Sequence, residues 1–235
     1  MTEHTHKQFD TEMEAIRSGV LTMGGLVETQ MSRAISLLES EEGGNLLDQI
    51  GADEQAINRM QVEMDQQCSQ IIARRQPAAI DLRMVLTVTK IVNDLERVGD
   101  ESKKVAKKAQ QAAQYQKLSQ VRCFDVARAA ERAREMLQLA LDSFARLDVN
   151  AATEVIDLDD EVDAAFSAIL RQLISYMMED PRTISPALEI VFIAKSIERI
   201  GDHAKNIAEA VVQVVKGIDV RHATADRIRA EVAGE

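Results

Sequence analysis

Tryptophan is missing from this chain, aromatic residues make up only 3%, and 235 residues include just 3 Pro and 10 Gly. Sandwiches and barrels need many tight turns, which Gly and Pro supply, and strands rich in aromatic or β-branched residues. These shortages exclude an all-β architecture and favour helices. The two cysteines, Cys68 and Cys123, lie far apart with no Cys-x-x-Cys motif, which fits packed thiols in a reducing compartment rather than a redox pair or a metal site. Basic residues are in deficit, 28 Lys+Arg against 39 Asp+Glu, for a formal charge of −11. Nucleic-acid binding needs a positive field and usually stacking aromatics, so no nucleic-acid partner is expected. Long apolar runs are absent too: the longest, Ile190 to Ala194, falls far short of the roughly 18 residues of a membrane span. Met1 to Asp10 is polar and charged and lacks the apolar stretch of a secretory signal. The expectation is a soluble, cytoplasmic protein that meets a membrane only through partners.

What is present is Ala, Leu, Ile, Val, Glu and Arg at helical spacing, broken at few places. Breaks fall at Ser40–Gly44, Gln76-Pro77, Leu118-Ser119, Leu147–Asn150 and Asp180-Pro181. Double Gly tolerates the left-handed conformation that ends a helix, and Asp-Pro pairs a cap with a first-turn proline. The spacing predicts helices near 8–39, 45–75, 78–117, 121–146, 151–178 and 183–216, then a polar, loosely held tail over 218–235. Leu95-Glu96-Arg97-Val98-Gly99-Asp100 recurs 102 positions later as Ile197-Glu198-Arg199-Ile200-Gly201-Asp202. Met31, Ala34, Ile35 and Leu38 recur similarly as Leu137, Ala140, Leu141 and Phe144. Such self-similarity implies duplication. The fold expected is all-α: two pseudo-symmetric three-helix bundles in tandem, 8–117 and 121–217, joined too tightly to separate.

The repeats carry an unusual charge pattern. Glu96 and Asp100 stand four residues apart on one helix face, as do Glu198 and Asp202, although like charges at that spacing repel. The preceding helices carry matching pairs, Glu54 with Asn58 and Asp159 with Asp163. In an antiparallel hairpin, residues equidistant from the turn lie level. Glu54 and Asp100, like Asn58 and Glu96, are equidistant from Pro77; Asp159 and Asp202, like Asp163 and Glu198, are equidistant from the Asp180-Pro181 junction. Each hairpin therefore sets four oxygen-bearing side chains level, about 30 Å from its tip at 1.5 Å per residue. Clustered carboxylates must be kept apart by water, protonated, or neutralised by a cation. Oxygen-rich sites suit Mg²⁺, Mn²⁺ or Ca²⁺, and carboxylates also hold iron. The alternative is a solvated charge network, with Lys103 and Lys104 beside Asp100 and Lys205 beside Asp202. The first set should bind an ion more weakly, because Asn58 is neutral where the second set has Asp163.

Gly99 and Gly201 cost helix stability, about 1 kcal/mol each relative to Ala. Close packing of a neighbouring helix, or space for a ligand beside the acids, explains them. Di-iron enzymes of the ferritin type need Glu-x-x-His on paired helices. His203 lies off the acidic row and reads as an interhelix hydrogen-bonding residue, while His4, His6 and His222 read as solvated. No phosphate-cradling Gly loop or nucleophile-base pair is present. No enzymatic activity is expected.

Ala73-Arg74-Arg75-Gln76-Pro77-Ala78-Ala79-Ile80-Asp81-Leu82-Arg83, Asp94 to Asp100, Tyr176 to Arg182 and Glu198 to Glu209 together resemble the PhoU family of bacterial phosphate-transport accessory and signalling proteins. The resemblance runs from Phe9 to about Val220. It implies tandem three-helix bundles whose acid pairs hold multinuclear iron or another divalent metal (Mn, Mg or Zn) in some members. The pairs carried over are Glu54/Asn58 with Glu96/Asp100, and Asp159/Asp163 with Glu198/Asp202. It further implies a homodimer and an adaptor between the ATPase of the phosphate-specific ABC transporter and a sensor histidine kinase, restraining phosphate uptake and the phosphate-starvation response. A carboxylate-bundle metal enzyme or metal store is the alternative.

Overall fold

The structure is a computed structural model that describes residues 2–39, 44–113 and 119–220, with side chains described for 7–39, 44–112 and 125–220. It is built from six long helices: α1 (Thr2–Glu39), α2 (Leu46–Arg75), α3 (Ala79–Ala113), α4 (Ser119–Arg146), α5 (Val149–Glu179) and α6 (Ile184–Lys216). A 3-10 turn, Pro181–Thr183, precedes α6. Helix α1 begins six residues before the expected start, because nothing between Thr2 and Lys7 breaks helical geometry. Among the described residues, no helix is long and apolar enough to cross a membrane.

The helix ends follow from local chemistry. Gln76 closes α2 in the left-handed conformation (φ 49°), its N–H donating to the Ile72 carbonyl, and Pro77 then prevents continuation. Asp148 caps α5 by accepting from the backbone N–H groups of Asn150 and Ala151, a contact worth about 1 kcal/mol. At the second hairpin the Asp180 carboxylate accepts from the Arg182 N–H, while Thr183 donates its hydroxyl to the Tyr176 and Asp180 carbonyls. Pro186 fits in the first turn of α6, where N–H groups lack intrahelical partners. Gly217 ends α6 at φ 75°. The chain beyond it is not loose as expected: Val220 is buried and Ile218 packs on the core. The rest of the expected tail, from residue 221 and including His222, lies outside the described residues, as do residues 40–43, residues 114–118 and the Cys123 side chain.

Helices α1, α2 and α3 pack on one another, as do α4, α5 and α6, and the two bundles join through α3 against α6 and α1 against α4. Both cross-bundle pairs run antiparallel. Along α3 and α6, Lys90 meets Gln213, Asp94 meets His203 and Asn206, Glu101 meets Arg199, and Lys108 meets Glu189. Along α1 and α4, Arg17 reaches the Ala145 carbonyl and Gln138 reaches Glu28. Residues Val20, Met23, Val27 and Met31 of α1, Val85, Val88, Ile91 and Leu95 of α3, and Ile193, Ile197, Ile200 and Ala204 of α6 fill the core they enclose. Their i, i+3, i+4 spacing is the amphipathic pattern of the sequence made three-dimensional. Cys68 belongs to this core, and burial raises its thiol pKa.

Candidate functional site

The hairpin registers agree with the spacing argument. Gln61 donates to Asn93 at 2.9 Å, a contact centred on Pro77. The Lys195 ammonium lies 5.4 Å from the centre of the Phe166 ring, a contact centred on the Asp180-Pro181 junction. Each acid pair of α3 or α6 thus stands beside its counterpart on α2 or α5.

The second set forms one electrostatic group. Asp159 is buried, Glu198 is half-buried, and Asp163 and Asp202 face solvent. Partial desolvation raises the pKa of Asp163, and the charges of Asp159 and Glu198 raise it further. The same two causes raise Asp202: desolvation first, then the charges of Glu198, Asp159 and Asp163, with the Lys195 charge opposing them. Two of the four acids have ammonium partners: Lys205 Nζ donates to Asp159 Oδ2 at 2.6 Å, and Lys195 Nζ lies 2.6 Å from the Glu198 carboxylate. Asp163 and Asp202 form no ion pair among the described residues. The sequence set Lys205 beside Asp202; it reaches instead across to α5. Burial disfavours the Lys205 ammonium, but the Asp159 hydrogen bond and charge outweigh it and raise its pKa.

The first set is more nearly neutral. Lys103 bonds to Glu54 across the hairpin, as Lys205 does to Asp159, rather than to Asp100 as the sequence suggested. Arg97 lies 3.6 Å from Glu96, and Asn58 is exposed and uncharged. Glu96 is raised by burial, then by Asp100, with Glu54 adding less. Lys104 bonds not to Asp100 but to Glu101, which the sequence reading missed. Glu101 is 2% exposed, and its carboxylate also accepts from Arg199 of the other bundle at 2.9 Å. Its signal was available: Glu101 interrupts the apolar row of Val98 and Val105 on α3. His203 plays the expected interhelix part, its Nδ1 lying 2.9 Å from Asp94 Oδ1.

The glycines divide the two halves further. A Cβ on Gly99 would come within 3.0 Å of Gln30 Oε1 and 3.2 Å of Ile57 Cδ1, so helix packing accounts for this glycine. A Cβ on Gly201 would meet Val162 at 3.4 Å and Asp159 Oδ1 at 3.7 Å, ordinary contacts. That Asp159 oxygen is buried and has no hydrogen-bond partner. The orphaned oxygen therefore borders the space that Gly201 leaves open.

The two halves differ in charge at the motif. Among the described residues no group of three or more His, Cys, Asp or Glu stands in an arrangement that could hold a metal ion. The second set has four carboxylates, two of them in no ion pair among the described residues, and Asp159 keeps one buried oxygen without a hydrogen-bond partner. The first set has three acids and a neutral amide, with its two glutamates beside cations.

Fold and site together define a duplicated helical-bundle protein with paired carboxylates on each hairpin. The family model of the PhoU domain matches twice, over residues 20–109 and 126–211. The Pseudomonas putida phosphate-specific transport system accessory protein PhoU homolog is 43% identical over all of this chain and 91% of its own length. The Escherichia coli K12 phosphate-specific transport system accessory protein PhoU is 38% identical over all of this chain and 96% of its own. Among solved structures, PhoU from Pseudomonas aeruginosa superposes with a TM-score of 0.85 at 44% identity, covering 89% of this chain and all of that one. The phosphate transport system regulatory protein PhoU from Streptococcus pneumoniae gives 0.81 at 26% identity, covering 91% and 99%. The chain belongs to the PhoU family.

Proposed function

We propose that this protein is a non-enzymatic regulator of phosphate transport, restraining uptake and the phosphate-starvation response when phosphate is plentiful. It acts as a cytoplasmic adaptor between the ATPase of the phosphate-specific ABC transporter and a sensor histidine kinase. The observation that carries this reading is full-length similarity to phosphate-specific transport accessory proteins, together with the fold shared with PhoU from Pseudomonas aeruginosa. Two bundles held together along α3–α6 and α1–α4 present two comparable outer faces, which suits a protein that meets more than one partner; a homodimer multiplies those faces. An enzymatic role has less support, since His203, the histidine beside the acids, is engaged with Asp94. Within the same reading, Asp159, Asp163, Glu198 and Asp202 hold a hard divalent cation, which supplies the charge neutralisation that the acids lack.

Deleting the gene tests the role. Phosphate-scavenging genes become active in phosphate-replete medium, and reintroducing the chain silences them. Unchanged repression in the deletion strain refutes the regulatory reading, and failure to co-purify with either partner at any phosphate level refutes the adaptor.

A further inference from the structure

The ion pairs along the α3–α6 seam are layered. Lys104, Lys195 and Arg199 are about half-exposed, whereas the glutamates they meet, Glu101 and Glu198, are 2% and 13% exposed. Lys108 likewise lies further out than its partner Glu189. The cations are outermost and their acids lie beneath them, so this strip of surface is positive on a chain whose formal charge is −11. At one end of the strip stand Leu188 and Phe192, both exposed and one turn apart on α6, with Lys108 Nζ 5.2 Å from the centre of the Phe192 ring. The place corresponding to Phe192 in the first half holds Lys90, so the aromatic belongs to one repeat alone. We infer that this strip docks an acidic segment of a partner protein, an apolar side chain of which covers Leu188 and Phe192. The inference rests on reading the chain as an adaptor, and adds where one partner sits and what chemistry it brings.

The physical reason is complementarity at two levels. A partner's carboxylates can meet the outward ammonium and guanidinium groups without displacing the acids beneath, which keep the seam closed. Covering an exposed aromatic ring that already lies against a cation removes apolar surface from water at the kind of anchor that dominates binding energy. The extent of the strip selects a protein segment over an anionic membrane. Screening confines a charge's reach to about 8–10 Å, so a segment laid along the strip meets mainly its cations. A lipid surface would also face exposed Asp163 and Asp202, the latter one turn beyond Arg199, and the negative charge of the rest of the chain.

Interferometry of the full chain against the purified transporter ATPase and the cytoplasmic part of the sensor kinase tests the inference. The variants are Phe192→Ser, Lys104→Gln with Lys108→Gln, and Arg128→Gln, which removes an exposed charge from α4. Both seam variants should bind one of the two partners about tenfold more weakly, while Arg128→Gln matches the natural chain. Unchanged affinities in both seam variants overturn the docking surface and leave the adaptor reading standing; no binding of the natural chain to either partner overturns both. Carbodiimide, which joins amines to carboxylates, should link Lys104 or Lys108 of the natural chain to an aspartate or glutamate of that partner, mapped by mass spectrometry. This mapping decides if the lysine variant fails to fold by circular dichroism, and links confined to other lysines overturn the inference. Flotation with phosphatidylglycerol vesicles and sedimentation of the chain alone probe the other occupants. Seam variants that release the chain from vesicles or dissociate a dimer, with both partner affinities unchanged, assign the strip to lipid or to a second copy and overturn the inference.

Discussion

The two halves share one fold and one motif, yet the chemistry at the motif differs. In the first, Lys103 and Arg97 stand against Glu54 and Glu96, Asn58 is neutral, and Gly99 lies under a buried glutamine and an isoleucine. In the second, two aspartates have no counter-ion, a third has one oxygen bare, and Gly201 leaves room beside it. A duplicated scaffold can keep packing and register while its two sites diverge, because those depend on the apolar stripe and the turns. Neither stripe nor turns constrain residues such as 58 and 163.

The seam between the halves should give the largest effects. Glu101 corresponds by position to His203, but only Glu101 is a buried charge held by two cations. Glu101→Ala should cost about 2–3 kcal/mol in urea unfolding, less than a fully enclosed pair because Arg199 reaches solvent. His203→Ala should cost about 1 kcal/mol, the loss of one hydrogen bond. Equal losses at the two positions would show that the seam is symmetric after all.

The glycines come next. Gly99→Ala should lower stability by about 1–2 kcal/mol, since the buried Gln30, which donates to the Ile50 carbonyl, and the buried Ile57 would both have to shift. Gly201→Ala should be neutral or stabilising by up to about 1 kcal/mol, because ordinary contacts leave the helix-propensity gain intact. Thermal unfolding of the pair decides whether packing explains one glycine and not the other.

The smallest effect concerns pH. Asp163 and Asp202 have pKa values raised above the ordinary 3.8. A carboxyl whose folded pKa exceeds its unfolded value binds protons more readily when folded. It therefore removes stability as pH rises from the ordinary value through the raised one, and it is neutral below both. Asp163→Asn with Asp202→Asn should raise the melting temperature by about 1–3 °C at pH 7, and the gain should vanish below about pH 3.5. A gain that persists in acid would mean that the asparagines act through packing instead.

Much of this arrangement was legible in the chain itself. Pro77 and Asp180-Pro181 mark the two bends, and equal spacing from each sets the acids level; the Gln61–Asn93 and Lys195–Phe166 contacts bear out that register. The repeated Glu-Arg-x-Gly-Asp revealed the duplication. The direction of the lysines was not legible, because a lysine three residues beyond an aspartate on one helix can equally reach across to the next. Glu101 was missed for a related reason: its partner Arg199 lies in the other bundle, and spacing within a hairpin says nothing about the seam between hairpins. The approach of Arg83 of the first bundle to Gly217, where α6 ends, was hidden for the same reason.

Calorimetric Mn²⁺ titration of two double variants tests most directly the proposal that one carboxylate set of the two accepts a divalent ion. The natural chain should bind Mn²⁺, Asp159→Asn with Asp163→Asn should abolish that binding, and Glu54→Gln with Glu96→Gln should leave affinity and stoichiometry unchanged. Loss of binding in the second variant with retention in the first would contradict the account.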